Sequence, residues 1–369
     1  MSLSTEEIPM RPDDQLAAGA RNLLLNCAGL KARDRLLIVH EDPSLGWYDK
    51  AAPLALGTEA EAMGISTAFV EVGGPEDDES SLTADRASAD CDCVVYMARI
   101  GDLDRFEVGA DNKIRIMCYA RDADALASAY GRTHHDAMLE LKDAVNDVLL
   151  GADRIEVSCP LGTDFSCDIT DQAREFGDVA VQRFPVGVPQ AILAEGLNGR
   201  VALARYLTPT GNRSYEPASL AFDEIVFANV KMGRIKGYEG DTATVADVEC
   251  HYKTVSDIFG IDPECVHSWH AGIHAGAAFN KPAADDPDRW SNNVFTNPRF
   301  LHIHTCGAYA PGEICWMVLD PTVSVEGRNL WQDGRLCLDE FAPLRQAAQK
   351  WPILSDLMAN PSDEIGLSG

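Results

Sequence analysis

Four short apolar runs punctuate the first third of the chain: RLLIVH at 35–40, TAFVEV at 67–72, CVVYMA at 93–98 and IRIMCYA at 114–120. Runs that are apolar on successive residues, rather than on alternate ones, bury both faces of a strand. Covering both faces requires helices on each side of a parallel sheet. The segment Arg11 to Leu30 carries Leu16, Ala20, Leu23, Leu24 and Cys27 at helical spacing, and a second helix is expected within 46–64. The polar run PEDDESS reads as a solvated loop, and one long helix is expected from Asp122 to about Leu150. Residues 1–150 are therefore expected to form an α/β domain, an open parallel sheet with helices.

Beyond residue 150 the pattern changes. RIEVSCPLGTDFSCDI, NGRVALARYLTP and EIVFANVKMGRIKGYEG are strand-rich and broken by turns, with Met232 and Gly233 forming a hairpin turn. A helix over Ala243 to Phe259 leads into a histidine-rich stretch. Strands follow through HIHTC, ICWMVL, TVSVEG and RLCL, and a helix near Glu340 to Lys350 comes last. Residues 151–369 thus read as an α+β domain that carries the candidate site.

That site lies between Cys265 and Gly327, where five of the nine histidines fall between His267 and His304, followed by Glu313 and Cys315. Imidazole, carboxylate and thiolate are the side chains that hold first-row transition metals. In a strand over 301–305, alternation turns His302 and His304 to one face. His270 and His274, four apart, share a face on a helix and also on a strand. The remaining histidines, His40, His134, His135, His251 and His267, read as structural or surface residues, with the pair at 134 and 135 on the surface.

Composition narrows the class of function. A net charge of −27 disfavours nucleic acid and anionic membranes as partners, because phosphate binding needs clustered Lys and Arg. No apolar run is long enough for a membrane span, the N-terminus is acidic and polar, and the eleven cysteines form no CxxC pair or regular framework. The expectation is a cytoplasmic protein with buried thiols and a small-molecule substrate. No GxGxxG follows the first strand, so a dinucleotide role lacks its fingerprint.

Several segments together make the chain resemble the aminopeptidase T-like metalloproteins, and within them the branch containing 2,5-dihydroxypyridine 5,6-dioxygenase. They are GTDF at 162–165, FPVG at 184–187, the helix leading to His270, FLHIHTCG at 300–307 and DPTVSVEGRNLWQDGRL at 320–336. The resemblance implies an N-terminal α/β domain, a C-terminal domain carrying the metal, and a homo-oligomer. Peptidase members carry a Glu in a P-x-G-E pattern, where this chain has Val188 after Pro185 and Gly187. Loss of that carboxylate argues against a two-metal peptidase.

In the dioxygenase branch one ferrous ion is held by a histidine matching His270 and by a later H-x-D pair, whose positions fall here on Glu313 and Cys315. Two arrangements answer this departure. The metal can be held by His270, His302, His304 and Glu313, or it is gone and Cys315 works with His270 and Glu313 as a nucleophile. The first is favoured, with Fe(II) as the metal, and Zn or another divalent ion as the alternative.

The expected function is a mononuclear non-haem metal enzyme that cleaves the ring of a small aromatic or N-heterocyclic compound with dioxygen. The resemblance further implies that His274 shuttles protons and that Thr305 lies near the substrate. Trp269 and Trp316 would stack on a ring if they flank the pocket, and otherwise serve as core aromatics. A hydrolase using a Zn-bound water or Cys315, and a relative that has lost catalysis, are the competing expectations.

Overall fold

The computed structural model describes residues 11–103, 113–307 and 311–367; the first ten residues of the acidic N-terminus lie outside them. Strands β1 (Arg35–Glu41), β2 (Ser66–Val72), β3 (Cys93–Met97) and β4 (Ile114–Cys118) fall on the four apolar runs. They pair in parallel in the order β2-β1-β3-β4. Along β1, Leu36 and Ile38 enter one apolar cluster with Leu23, Leu56 and Cys93, while Leu37 and Val39 enter another with Ala84 and Val94. Both faces are covered, which is why the run shows no alternation.

The second half supplies β5 (Arg154–Ser158), β6 (Asp164–Asp168), β7 (Gln182–Phe184), β8 (Ile192–Leu193), β9 (Leu197–Leu203), β10 (Tyr206–Leu207) and β11 (Leu220–Ala221). It continues with β12 (Val226–Lys231), β13 (Arg234–Glu239), β14 (Val266–Ala271), β15 (Phe300–Cys306), β16 (Glu313–Leu319), β17 (Thr322–Val325), β18 (Arg328–Gln332) and β19 (Arg335–Leu336). An eight-stranded antiparallel sheet runs β13-β12-β9-β6-β5-β17-β18-β19, and a four-stranded antiparallel sheet runs β16-β15-β14-β8. The α/β plus antiparallel architecture matches the fold class expected from sequence.

The sheets do not divide at residue 150. Strand β7 adds to the edge of the parallel sheet beside β4, where Phe184 fills the first cluster. In the other direction, the His135–Leu150 helix packs Met138, Leu141 and Val145 into the core of the antiparallel half. Apolar side chains settle where a matching cavity exists, whatever their order in the chain.

Local signals account for most boundaries. Met232 and Gly233, at φ 50° and 66°, make the left-handed turn of the β12–β13 hairpin. Asp241 caps the Thr242–Phe259 helix by accepting from the amides of Ala243 and Thr244, and Gly260 ends it at φ 64°.

Other expectations are corrected. The long helix over 122–150 is three helices, Ala123–Ala127, Ala129–Arg132 and His135–Leu150, because Ser128 and His134 each turn extended and cap the next segment. PEDDESS is not all loop, since Asp77 caps a helix over Asp78–Ala87. The His134–His135 pair is not a surface pair: His135 is buried, its ring stacked near Phe184. Among the described residues no helix is long and apolar enough to cross a membrane.

Candidate metal centre

The four-stranded sheet sorts its residues by alternation. Toward the main core it turns Trp269, Leu301, Ile303, Ile314, Trp316 and Val318. The opposite face carries the polar set, because His302 and His304 are two apart on β15, His270 on β14 stands directly across from His302, and Cys315 on β16 stands across from His304. The pleat thus gathers side chains that lie far apart in sequence.

On that face the three imidazoles converge. His270 Nε2 and His304 Nε2 are 3.2 Å apart, and the rings of His302 and His304 have centroids 4.4 Å apart. One nitrogen from each of His270, His302 and His304 can be chosen so that all lie within 4.8 Å of one another, and all three residues are buried. Two nitrogens each about 2.1 Å from one ion would stand about 3.0 Å apart at a right angle and about 3.4 Å apart at the tetrahedral angle. The observed spacing falls between these, so the pair fits neighbouring positions on one ion.

Glu313 sets the orientation of His304. Its Oε1 accepts from His304 Nδ1 and its Oε2 accepts from the Thr210 hydroxyl, at only 1% exposure. A carboxylate only accepts, so the proton sits on Nδ1 and the Nε2 lone pair faces His270. This is the second-sphere pairing that metal-binding histidines commonly make. A second group, His304 with Glu313 and Cys315, also has donor atoms within 4.8 Å of one another, but Glu313 meets the Nδ1 edge of His304, opposite the edge that faces His270.

A cleft of about 100 Å³ opens on the three histidines. Its walls include Phe295, Phe176, Tyr119, Val188, Thr210, Asn292 and Arg183. The Phe295 ring lies 5.9 Å from that of His270 and 5.6 Å from that of His302. Pro185, Gly187 and Val188, from the FPVG segment and the residue after it, form one side. Gly187 is required there, since a Cβ would meet the Thr296 side chain at 2.3 Å. Asn292 is held from below by Asp288, whose carboxyl burial pushes up to about 6 despite the Arg213 guanidinium.

The structure distributes the remaining sequence-selected residues elsewhere. His274 is not beside His270, because β14 ends at Ala271 and the chain beyond it leaves the sheet, the Ile273 amide donating to the Gly187 carbonyl and the His274 amide to the Thr296 carbonyl. His274 is fully buried against Tyr130, its Nδ1 accepts from the Gly276 amide, and burial lowers it to about 3. It is therefore neutral at ordinary pH and sits away from the cleft.

Thr305 and Trp269 belong to the core face. The Thr305 hydroxyl donates to the Ile314 carbonyl and bonds Tyr252 at 2.5 Å, and Tyr252 also accepts from Trp316 Nε1. Trp269 packs edge-on to Phe165. Cys315 is fully buried, its backbone bridged to Thr208, and neither it nor Glu313 lines the cleft.

Sequence reasoning missed Arg183, Asp178, Thr210, Asn292 and Phe295, and it read the cleft-lining His267 as a structural or surface residue. The FPVG segment was the only signal near any of them.

With the geometry in place, known structures provide a comparison. The fold is similar to that of 2,5-dihydroxypyridine dioxygenase from Pseudomonas putida KT2440, with a TM-score of 0.58 and 13% identity over 89% of this chain and 98% of that one. It is also similar to wild-type AmpT from Thermus thermophilus, with a TM-score of 0.50 and 12% identity over 88% of this chain and 100% of the other. No family model and no curated protein matches the chain. At such identities the likeness establishes a common fold, and function must be argued from the site.

Proposed function

We propose that this chain, whose fold is shared by a dioxygenase and an aminopeptidase, is a mononuclear metal enzyme that opens the ring of a small aromatic or N-heterocyclic compound. One observation carries the reading: three buried imidazoles converge at metal-ligand spacing on the wall of a small, partly aromatic cleft. His270 and His304 would hold the ion through Nε2, with His302 as the third ligand. A bound ferrous ion would supply redox chemistry with dioxygen that no side chain of this chain provides.

The protein's own contribution is positional. Glu313 keeps the proton on His304 Nδ1, and Thr210 in turn fixes Glu313. Phe295 offers a ring face beside the histidines, and the size of the cleft favours a ligand smaller than a drug-sized compound. Val188 lines the cleft where a peptidase would place a carboxylate, which disfavours a two-metal arrangement.

A hydrolytic reading is favoured by one feature. Glu313 is turned to His304 Nδ1, which leaves an all-imidazole donor set, and three histidines with a bound water are a known catalytic zinc arrangement. A Cys315 nucleophile is not favoured, because the thiol does not reach the cleft.

Metal content of protein purified without oxygen, compared with His270→Ala and His304→Ala, tests the proposal. Near-stoichiometric iron in the wild type, lost in both variants, together with oxygen uptake on hydroxylated pyridines or phenols, is the expected outcome. Zinc with turnover under argon would select the hydrolase. Metal-free wild type would overturn both readings and leave a relative that has lost catalysis.

A further inference from the structure

Arg183 lies in the same cleft as the three histidines but comes from the other half of the fold, on β7 at the edge of the parallel sheet. Its side chain is 12% exposed. Only Nη2 is engaged, donating to the two Asp178 oxygens at 2.9 Å and 3.0 Å. Nη1 and Nε make no hydrogen bond among the described residues.

Asp178 does not balance Arg183 alone. Its Oδ2 also accepts from Lys142 Nζ at 2.9 Å. Burial by itself would raise the Asp178 carboxyl, but Arg183 and Lys142 outweigh it and hold the group below the usual carboxylate range. One carboxylate therefore serves two cations, so Asp178 is shared and does not neutralise Arg183 alone. Asp143 approaches Lys142 only at 3.8 Å with a 70% exposed side chain, so its share is screened by solvent. Asp102, the other acid among the described residues that line the cleft, accepts from the Tyr119 hydroxyl at 2.7 Å and lies within electrostatic reach of the buried Arg121.

Arg183 is opposite in sign to the protein as a whole, whose net charge is −27. Exposed charges more than about 8 Å away are largely screened at physiological ionic strength, so the cleft is governed by its own groups. A half-buried guanidinium that lines the cleft and keeps Nη1 and Nε unused is placed to receive an oxyanion, since charge-assisted N–H bonds to carboxylates are among the stronger ones.

We infer that the ligand of this cleft is a small aromatic carboxylate, with Arg183 receiving the carboxylate and the ring lying toward Phe295 and the histidines. This rests on the metal-enzyme reading for its chemistry but not for its recognition. Arg183 is a specificity-determining residue in it, and Asp178 with Lys142 holds Arg183 in place.

The test is calorimetric titration of benzoate and of the isosteric neutral benzamide into the full-length protein, as purified and after chelator treatment, with metal content measured on the same samples. Benzoate is expected to bind about tenfold or more tightly than benzamide in both samples. Arg183→Gln should abolish that preference, and Arg183→Lys should retain part of it. Equal affinities in the wild type, or no benzoate binding, would overturn the inference even if metal is present. A preference surviving in Arg183→Gln would overturn the assignment to Arg183. If Arg183→Gln fails to fold, the wild-type pair and Arg183→Lys still decide. A benzoate preference in protein that never holds metal would refute the enzyme reading while leaving this one standing.

Discussion

The sharpest consequence of the site geometry concerns Glu313→Gln. The glutamine keeps the shape, so its amide oxygen can still accept from His304 Nδ1, and Thr210 can turn its hydroxyl to accept from the new NH₂. What is lost is the negative charge that makes His304 a stronger donor to an ion. Changing such a partner commonly reduces metal affinity by about 10- to 100-fold, or about 1.4 to 2.7 kcal/mol. Competition with a chromogenic chelator would measure this, with His302→Ala as the reference for loss of a direct ligand. A drop within that range, far smaller than for His302→Ala, is expected. An unchanged affinity would refute the positioning role. A loss equal to that of His302→Ala would mean that Glu313 is itself a ligand.

Three other outcomes follow from the same structure. Thr305→Val removes a hydroxyl shared by Tyr252 and the Ile314 carbonyl, so chemical denaturation should show a loss of about 1–3 kcal/mol, while metal content stays unchanged; a metal loss without destabilisation would place Thr305 at the site. Gly272→Ala forces a Cβ to 2.3 Å from the Asn297 carbonyl oxygen, and a fall in stability of about 1–3 kcal/mol with partial metal loss is expected because β14 ends there; wild-type melting would contradict it. Burial lowers His274 to about 3, so between that value and about 6.5 the unfolded chain binds the extra proton, and stability rises with pH by about 1.4 kcal/mol per unit from this group. Denaturant titrations from pH 7 down to pH 4 should show a shallower pH slope for His274→Gln than for wild type, and equal slopes would refute the assignment.

Much of the fold was legible along the chain. The four apolar runs became the parallel strands because residues buried on both faces must be apolar at every position, a local property of the sequence. The β12–β13 turn was legible for a similar reason, since Met232–Gly233 must adopt positive φ. His302 and His304 were legible as a pair because strand alternation needs no partner. By contrast, the place of His274 depended on where β14 stops. At that end the backbone of Gly272 lies close against Asn297, twenty-five residues away in the chain.

The sequence by itself determined which chemistry this protein could carry: imidazoles on alternate positions of a strand, a nearby carboxylate, and no phosphate loop. Only the tertiary structure decided how that chemistry is used. The register of β14 on β15 set His270 against His302, the pairing of β15 with β16 brought Glu313 to the far edge of His304, and β7 carried Arg183 across to the same cleft. The reason is physical. Side-chain direction along a strand is a local consequence of backbone geometry, whereas which strands meet, and at what offset, is fixed by burying apolar surface contributed by the whole chain.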